Sequence, residues 1–224
     1  MPGARIYYRR RVPAVAPVRP PMSTPPLLRL RALQSAFGGP FDLDIAAGEC
    51  VSVMGPSGSG KSVLLRLIAD LDPGSGDVEM EGRARHHWSG PAWRRQVVYQ
   101  SAEPAWWAPD AAAHFDAQAA PRVAQLMPRL GLAEALLGTE IARLSTGERQ
   151  RMALVRSLAC EPRVLLLDEP SASLDADSTL AMEALLREQL AAGMAMLLVT
   201  HSREQALRMA SRSFSMAAGR LAAA

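Results

Sequence analysis

The sequence predicts an α/β fold, with a mostly parallel sheet at its core, an antiparallel β subdomain and a small helical lobe. Three observations carry this. Residues 164–167 and 196–200 are apolar throughout and alternate with helical patterns at 147–160, 177–192 and 202–210, as strands do when both faces of a parallel sheet are covered. Residues 27–33 and 41–45 alternate like half-buried strands, with Phe37-Gly38-Gly39-Pro40 as the expected turn. Residues 49–54 form a short apolar run, followed by a glycine loop and then a helical pattern over 63–69.

Between these elements the reading is less regular. Residues 72–76 are a turn and 77–81 a strand; 82–96 read as polar and irregular, and 96–100 return to a strand. Residues 101–144 are rich in alanine and interrupted by Pro104, Pro109, Pro121 and Pro128, which marks the helical lobe. Two short strands are expected at the end of the chain. Residues 1–26 hold seven prolines and five arginines with no acid, a composition that cannot pack a core. They read as a disordered arm ahead of one domain over 27–223. The arm is an inert tail, a contact for anionic lipid, or an upstream stretch preceding a start at Met22. No apolar h-region follows its arginines, so no secretory signal is expected.

The net charge of +3 belongs to that arm. Removing its five arginines leaves −2 for the remainder, which gives no basic surplus to recruit nucleic acid. With 224 residues and 49% hydrophobic content the chain can bury one substantial core. Cys50 and Cys160 both lie in apolar stretches and form no C-x-x-C pair, which fits a reducing compartment. No apolar run reaches the length of a membrane span.

Gly55-Pro56-Ser57-Gly58-Ser59-Gly60-Lys61-Ser62 matches G-x-x-x-x-G-K-[ST] in full. Strand, loop and helix in that order turn successive backbone N–H groups into a concave nest at the positive end of a helix, a site for phosphate. Gly55, Ser57, Gly58, Ser59 and Gly60 supply the backbone, Lys61 reaches the β- and γ-phosphates, and the Ser62 hydroxyl can ligate Mg²⁺. Lys61 is the only lysine in the chain; the other 24 basic residues are arginine. A compact ammonium fits inside a ring of backbone amides where a planar guanidinium does not.

Asp168 and Glu169 follow an apolar strand, at the end of an α/β sheet where ligands collect. Asp168 is the candidate to orient Mg²⁺, and Glu169 the candidate to take a proton from an attacking water. Leu144-Ser145-Thr146-Gly147-Glu148-Arg149-Gln150-Arg151 has the form of a capping box, with Ser145 at the N-cap and Glu148 at N3 of an amphipathic helix.

That last stretch also resembles the LSGGQ signature of ATP-binding cassette (ABC) ATPases, and lies between the glycine loop and the acidic strand as in that family. The resemblance runs over 27–223 in chain order. It implies a P-loop NTPase of the ABC type that binds ATP and Mg²⁺. It further implies that Phe37 stacks on adenine, that Gln100 is the Q-loop glutamine near the metal, that 171–175 with Asp175 form the D-loop, and that His201 is the switch histidine beside Glu169. Two cassettes sandwich two ATP in that family, so Ser145 and Gly147 would act on the nucleotide of a second copy. Val63 stands where many members have threonine, and Thr146 and Glu148 replace a glycine and the glutamine of the signature. His86, His87 and His114 have no metal-ligand spacing and are expected to be solvated.

All four tryptophans lie between 88 and 107. Trp106-Trp107 is either filler for the helical lobe or an exposed anchor. The family resemblance implies that the Q-loop and lobe receive a separate membrane permease, which places the chain peripherally on the cytoplasmic face of the inner (plasma) membrane. With 23 residues after His201, no regulatory domain is expected, and the compact lobe resembles cassettes that export a metal ion or small metabolite. The alternative is a soluble ABC ATPase for assembly, such as iron–sulfur cluster loading.

Overall fold

The computed structural model describes residues 25–224, so the expected disorder of the arm falls almost wholly outside the described residues. The apolar strands form a six-stranded sheet in the order β10-β9-β3-β8-β7-β6. Its members are β3 (Cys50–Met54), β6 (Val97–Gln100), β7 (Val164–Asp168), β8 (Ala195–Val199), β9 (Arg212–Ala217) and β10 (Arg220–Ala223). The first five run parallel; β10 folds back antiparallel on β9.

The reason β7 is apolar from Val164 to Leu167 is visible in its packing. Val164 and Leu166 face one hydrophobic cluster, with Val51, Val53, Leu197 and Val199. Leu165 and Leu167 face the other, with Met196 and Leu198. Alternate side chains leave opposite faces of a strand, and here both faces are covered. On the first side lies α1 (Lys61–Ile68), whose Leu64, Leu65, Leu67 and Ile68 are buried. Beyond α1 is an antiparallel sheet of order β2-β1-β4-β5, made of β1 (Leu28–Ser35), β2 (Gly38–Ile45), β4 (Ser75–Met80) and β5 (Arg83–Ala84). The second side carries α3 (Ala120–Arg129), α4 (Thr146–Ala159) and α5 (Ala176–Ala191). Helix α6 (Arg203–Met209) follows β8.

Two sequence expectations change here. The stretch 82–96 is not irregular: it contains β5 and α2 (Gly90–Gln96). Ser89 caps α2 by accepting from the Ala92 N–H, and Pro91 sits in its first turn, where its missing N–H costs nothing. Trp93 is fully buried, and its indole N–H donates to the Ile68 carbonyl at 2.9 Å, tying α2 to the end of α1. The first hairpin turns on Ala36 and Phe37 alone, and Gly38 and Pro40 belong to β2. Within 101–144 the described chain has one α-helix, α3, and four short 3₁₀ turns.

Candidate active site

The glycine loop leaves β3 at Met54 and enters α1 at Lys61. A Cβ on Gly55 would lie 2.2 Å from the Met216 carbonyl oxygen, so the loop approaches β9 as closely as only glycine permits. Gly60 caps α1 in a left-handed conformation, φ 106°, with no side chain closing the helix end and no acid in the first turn. The first N–H groups of α1 are therefore free to face an anion. The Lys61 ammonium donates to the carbonyls of Gly55 at 2.7 Å and Pro56 at 3.0 Å, which uses two of its three donors. The Ser59 hydroxyl is buried without a hydrogen-bond partner, an arrangement that a bound phosphate oxygen would complete. Ser57, Gly58 and Ser62 are exposed around the loop, and Val63 packs on the core at its inner side.

One brace of this loop lies far away in sequence. Gly219, in the β9–β10 turn, donates its N–H to the Ser59 carbonyl at 2.9 Å and accepts from the Gly39 N–H at 2.8 Å. The terminal hairpin thus joins the phosphate loop to the turn that presents Phe37, a residue 79% exposed. Gly219 takes a positive φ of 72°, and a Cβ there would lie 2.9 Å from the Gly38 Cα, so the brace requires glycine.

Asp168 ends β7, is 5% exposed and accepts from the Tyr99 hydroxyl at 3.2 Å through Oδ2. Burial, then the neighbouring Asp168 charge, pushes the Tyr99 phenol above its ordinary range, so it remains a donor that orients the carboxylate. In the sequence Tyr99 carries no signal beyond its place in the strand 96–100. Glu169 sits in the left-handed region, φ 49°, and its N–H donates to the Val199 carbonyl at 2.9 Å. That twist turns its carboxylate onto His201: Oε2 accepts from the His201 backbone N–H at 3.2 Å, and Oε1 lies 3.0 Å from Nε2. Burial raises the affinity of Glu169 for a proton, while His201 and Lys61 work against that rise. Lys61, Asp168, Glu169 and His201 thus meet at the carboxyl ends of parallel strands.

Gln100 ends β6 but is buried, and its Oε1 lies 3.2 Å from the Ser157 hydroxyl of α4. Its Oε1 is thus engaged by α4, while its Nε2 is buried without a hydrogen-bond partner. The capping box forms as expected: the Glu148 carboxylate accepts from the Ser145 N–H at 2.8 Å and its hydroxyl at 2.7 Å, and Ser145 Oγ accepts from the Glu148 N–H at 3.2 Å. Gly147 packs on the loop 171–175, where a Cβ would be 3.2 Å from the Ser173 carbonyl. Asp175 caps α5 by accepting from Ser178.

Three expectations about the 106–160 surface are corrected or resolved. His114 is buried, not solvated: its Nε2 accepts from the N–H groups of Trp107 and Ala108 at 3.0 and 3.1 Å, and its Nδ1 meets the Asp110 carbonyl at 3.0 Å. Cys160 is exposed, whereas Cys50 is buried. Trp106 is half-buried on the lobe core, while Trp107 is 70% exposed, and the Arg156 guanidinium lies over both rings. Cavities of about 350 and 650 Å³ share His114, Arg156 and Cys160 in their walls.

A family model described as ABC transporter matches residues 39–172. This chain belongs to the ABC transporter family. The cassette is 40% identical over 212 residues to the aliphatic sulfonates import ATP-binding protein SsuB 2 of Nocardia farcinica, covering 88% of this chain and 82% of that protein. It is 37% identical to the sulfate/thiosulfate import ATP-binding protein CysA of Caulobacter vibrioides, covering 87% of this chain and 63% of that one. It is 39% identical to the Fe(3+) ions import ATP-binding protein FbpC of Streptomyces coelicolor, covering 88% and 61%. The chain thus spans less than two thirds of the latter two. Among solved structures, the dimeric post-hydrolysis state of the ATP-binding cassette MJ0796 bound to ADP and Pi aligns with a TM-score of 0.75 at 23% identity, over 88% of this chain and 98% of that one, which shows the shared fold. The cassette is an ATPase of this family that binds ATP. Among the described residues no helix is long and apolar enough to cross a membrane.

Proposed function

We propose that this cassette, spanning residues 27–223, is the ATP-hydrolysing subunit of an importer: two copies close on two ATP and drive a separate membrane permease from its cytoplasmic face. The observation that carries the chemistry is the Glu169–His201 pair, 3.0 Å apart beside Lys61 and Asp168. Import, in place of the export suggested by the compact lobe, is supported by relatives named as import subunits at 35–40% identity. The same names argue against cluster assembly. They also span sulfonates, sulfate and Fe(3+) at similar identity, which supports a cargo chosen by the permease and its binding protein.

In this reading Gly55–Ser62 and Val63 cradle the phosphates, Phe37 stacks on adenine, and Asp175, Ser145 and Gly147 belong to the contact between copies. Ser62 and Asp168 would supply hard oxygen donors suited to Mg²⁺, and the Gln100 amide oxygen would be a further candidate. Magnesium, when bound, neutralises charge on the phosphates. Glu169 accepts the proton of the attacking water, and His201 holds the Glu169 carboxylate toward it. The raised proton affinity of Glu169 suits a base, since efficiency peaks when its pKa approaches the working pH.

The test is Glu169→Gln in purified protein. With ATP and Mg²⁺ the variant should lose hydrolysis by at least about a hundredfold and accumulate as a dimer on size exclusion. Retained hydrolysis, or a monomer under saturating ATP, would refute the assignment. Permease coupling is checked separately, by co-purification from membranes with stimulated hydrolysis.

A further inference from the structure

One buried charged group takes no part in the chemistry above. Glu183, in the middle of α5, is 0% exposed. Its carboxylate accepts from Arg208 of α6 twice, Nε to Oε2 and a terminal nitrogen to Oε1, both at 2.7 Å, and Arg187 stands 3.8 Å away. A third donor completes it: Gln205 Nε2, 3.4 Å from Oε1. Gln205 is itself 1% exposed, and its other amide atom, Oε1, accepts from the Ser171 hydroxyl at 3.3 Å.

The two ends of this chain of bonds matter. Ser171 lies two residues after Glu169, at the start of the loop against which Gly147 packs. Gln205 lies four residues after His201, in the first turn of α6, where its backbone N–H donates to the Ser202 cap. Glu169 and His201 are therefore linked by two routes. One is their direct contact; the other runs from Ser171 to Gln205, whose amide is held in turn by the buried Glu183 and, through it, Arg208. An amide has one acceptor end and one donor end. With Glu183 taking the donor end, Gln205 can offer Ser171 only its acceptor. The buried carboxylate thereby fixes which way the amide points.

We propose that Gln205, oriented by the buried Glu183 carboxylate that Arg208 pairs from the surface side, is a positioning residue for hydrolysis: it holds the loop at Ser171 in register with the helix after His201, so that Glu169 and His201 act as a unit. This rests on the assignment of Glu169 and His201 above. The side-chain bonds of Ser171 and Gln205 go to each other and to Glu183, and the Gln205 N–H to the Ser202 cap, so their loss is expected to act on turnover and leave nucleotide binding alone.

The experiment is a double-mutant cycle on steady-state ATP hydrolysis with Ser171→Ala, Gln205→Ala and the pair, plus binding of the fluorescent analogue mant-ATP. Ser171→Ala removes one hydroxyl and leaves the Glu183–Arg208 pair whole, so it reports even if Gln205→Ala unfolds. Each single variant should lower kcat about five- to tenfold with KM and mant-ATP affinity within twofold, and the pair should cost no more than either single change, because both cut the same bond. Unchanged kcat in Ser171→Ala, multiplying effects in the pair, or a rise in KM with kcat preserved would each overturn the proposal. Glu169→Gln runs alongside: if that variant still hydrolyses ATP, the base assignment has failed, whereas its inactivity with a silent Ser171→Ala isolates the failure to the positioning network.

Discussion

Replacing Glu148 with glutamine should move stability and dimer closure in opposite directions. In the wild type its carboxylate sits at the N-terminus of α4, accepting from the Ser145 N–H and hydroxyl at 2.8 and 2.7 Å. Those bonds, the hydroxyl first, hold the carboxyl below its usual range. Hydrogen bonds to a charged acceptor contribute roughly 1.5–3 kcal/mol and neutral ones about 0.5–1.5, and an acid at a helix N-terminus adds about 0.3–1 kcal/mol when exposed. Glutamine keeps the box but loses the charge, so the cost is about 1 kcal/mol, or a melting temperature about 2–4 °C lower for a domain of this size. In the proposed dimer that same helix end faces the γ-phosphate of the other copy. Two like charges about 4 Å apart in water repel by about 1 kcal/mol, and a doubly charged phosphate makes it about 2. Glu148→Gln should therefore tighten ATP-driven dimerisation about five- to thirtyfold, read by sedimentation in the Glu169→Gln background. The sign of the pH dependence follows from the lowered pKa. The stabilisation is present above the ordinary glutamate range and is lost as pH falls through the folded value, so the gap in melting temperature between wild type and variant should close between pH 7 and pH 3. A variant that melts with the wild type at pH 7, or dimerises more weakly, refutes this account.

Gly219→Ala places a Cβ 2.9 Å from the Gly38 Cα at a positive φ; strain of about 1–3 kcal/mol at the Ser59 brace should weaken mant-ATP binding about tenfold. Trp93→Phe leaves the Ile68 carbonyl without its donor in a fully buried site, at a cost of about 2 kcal/mol, measured by urea denaturation. Trp107→Ala, at a 70% exposed ring, should keep the melting temperature within 1–2 °C, as surface changes do, while membrane recruitment with the permease falls; intact recruitment would remove Trp107 from the docking surface.

Much of this protein was legible in its amino acids because the informative features are local. The glycine loop, the apolar runs that form the strands at 164–167 and 195–199, and the Ser145–Glu148 box each follow from neighbouring residues, and all form where expected. Local patterns also misled. Ser89-Gly90-Pro91 resembles a loop but starts α2, because Pro91 falls in a first turn that needs no N–H from it. His114 resembles a surface histidine, yet two backbone N–H groups and a carbonyl enclose it.

The amino-acid sequence by itself determined the chemistry available: a phosphate loop with one lysine, two carboxylates at a strand end, a histidine and a capped helix. Only the tertiary structure decided how these meet. The twist at Glu169 that turns it onto His201, the Gly219 contact with Ser59, the turn of Gln100 toward Ser157 and the Ser171–Gln205–Glu183 chain join residues tens to well over a hundred positions apart. The physical reason is that a hydrogen bond depends on distance and angle between two groups, and a one-dimensional pattern records only those partners a helix turn, a strand or a tight loop brings together.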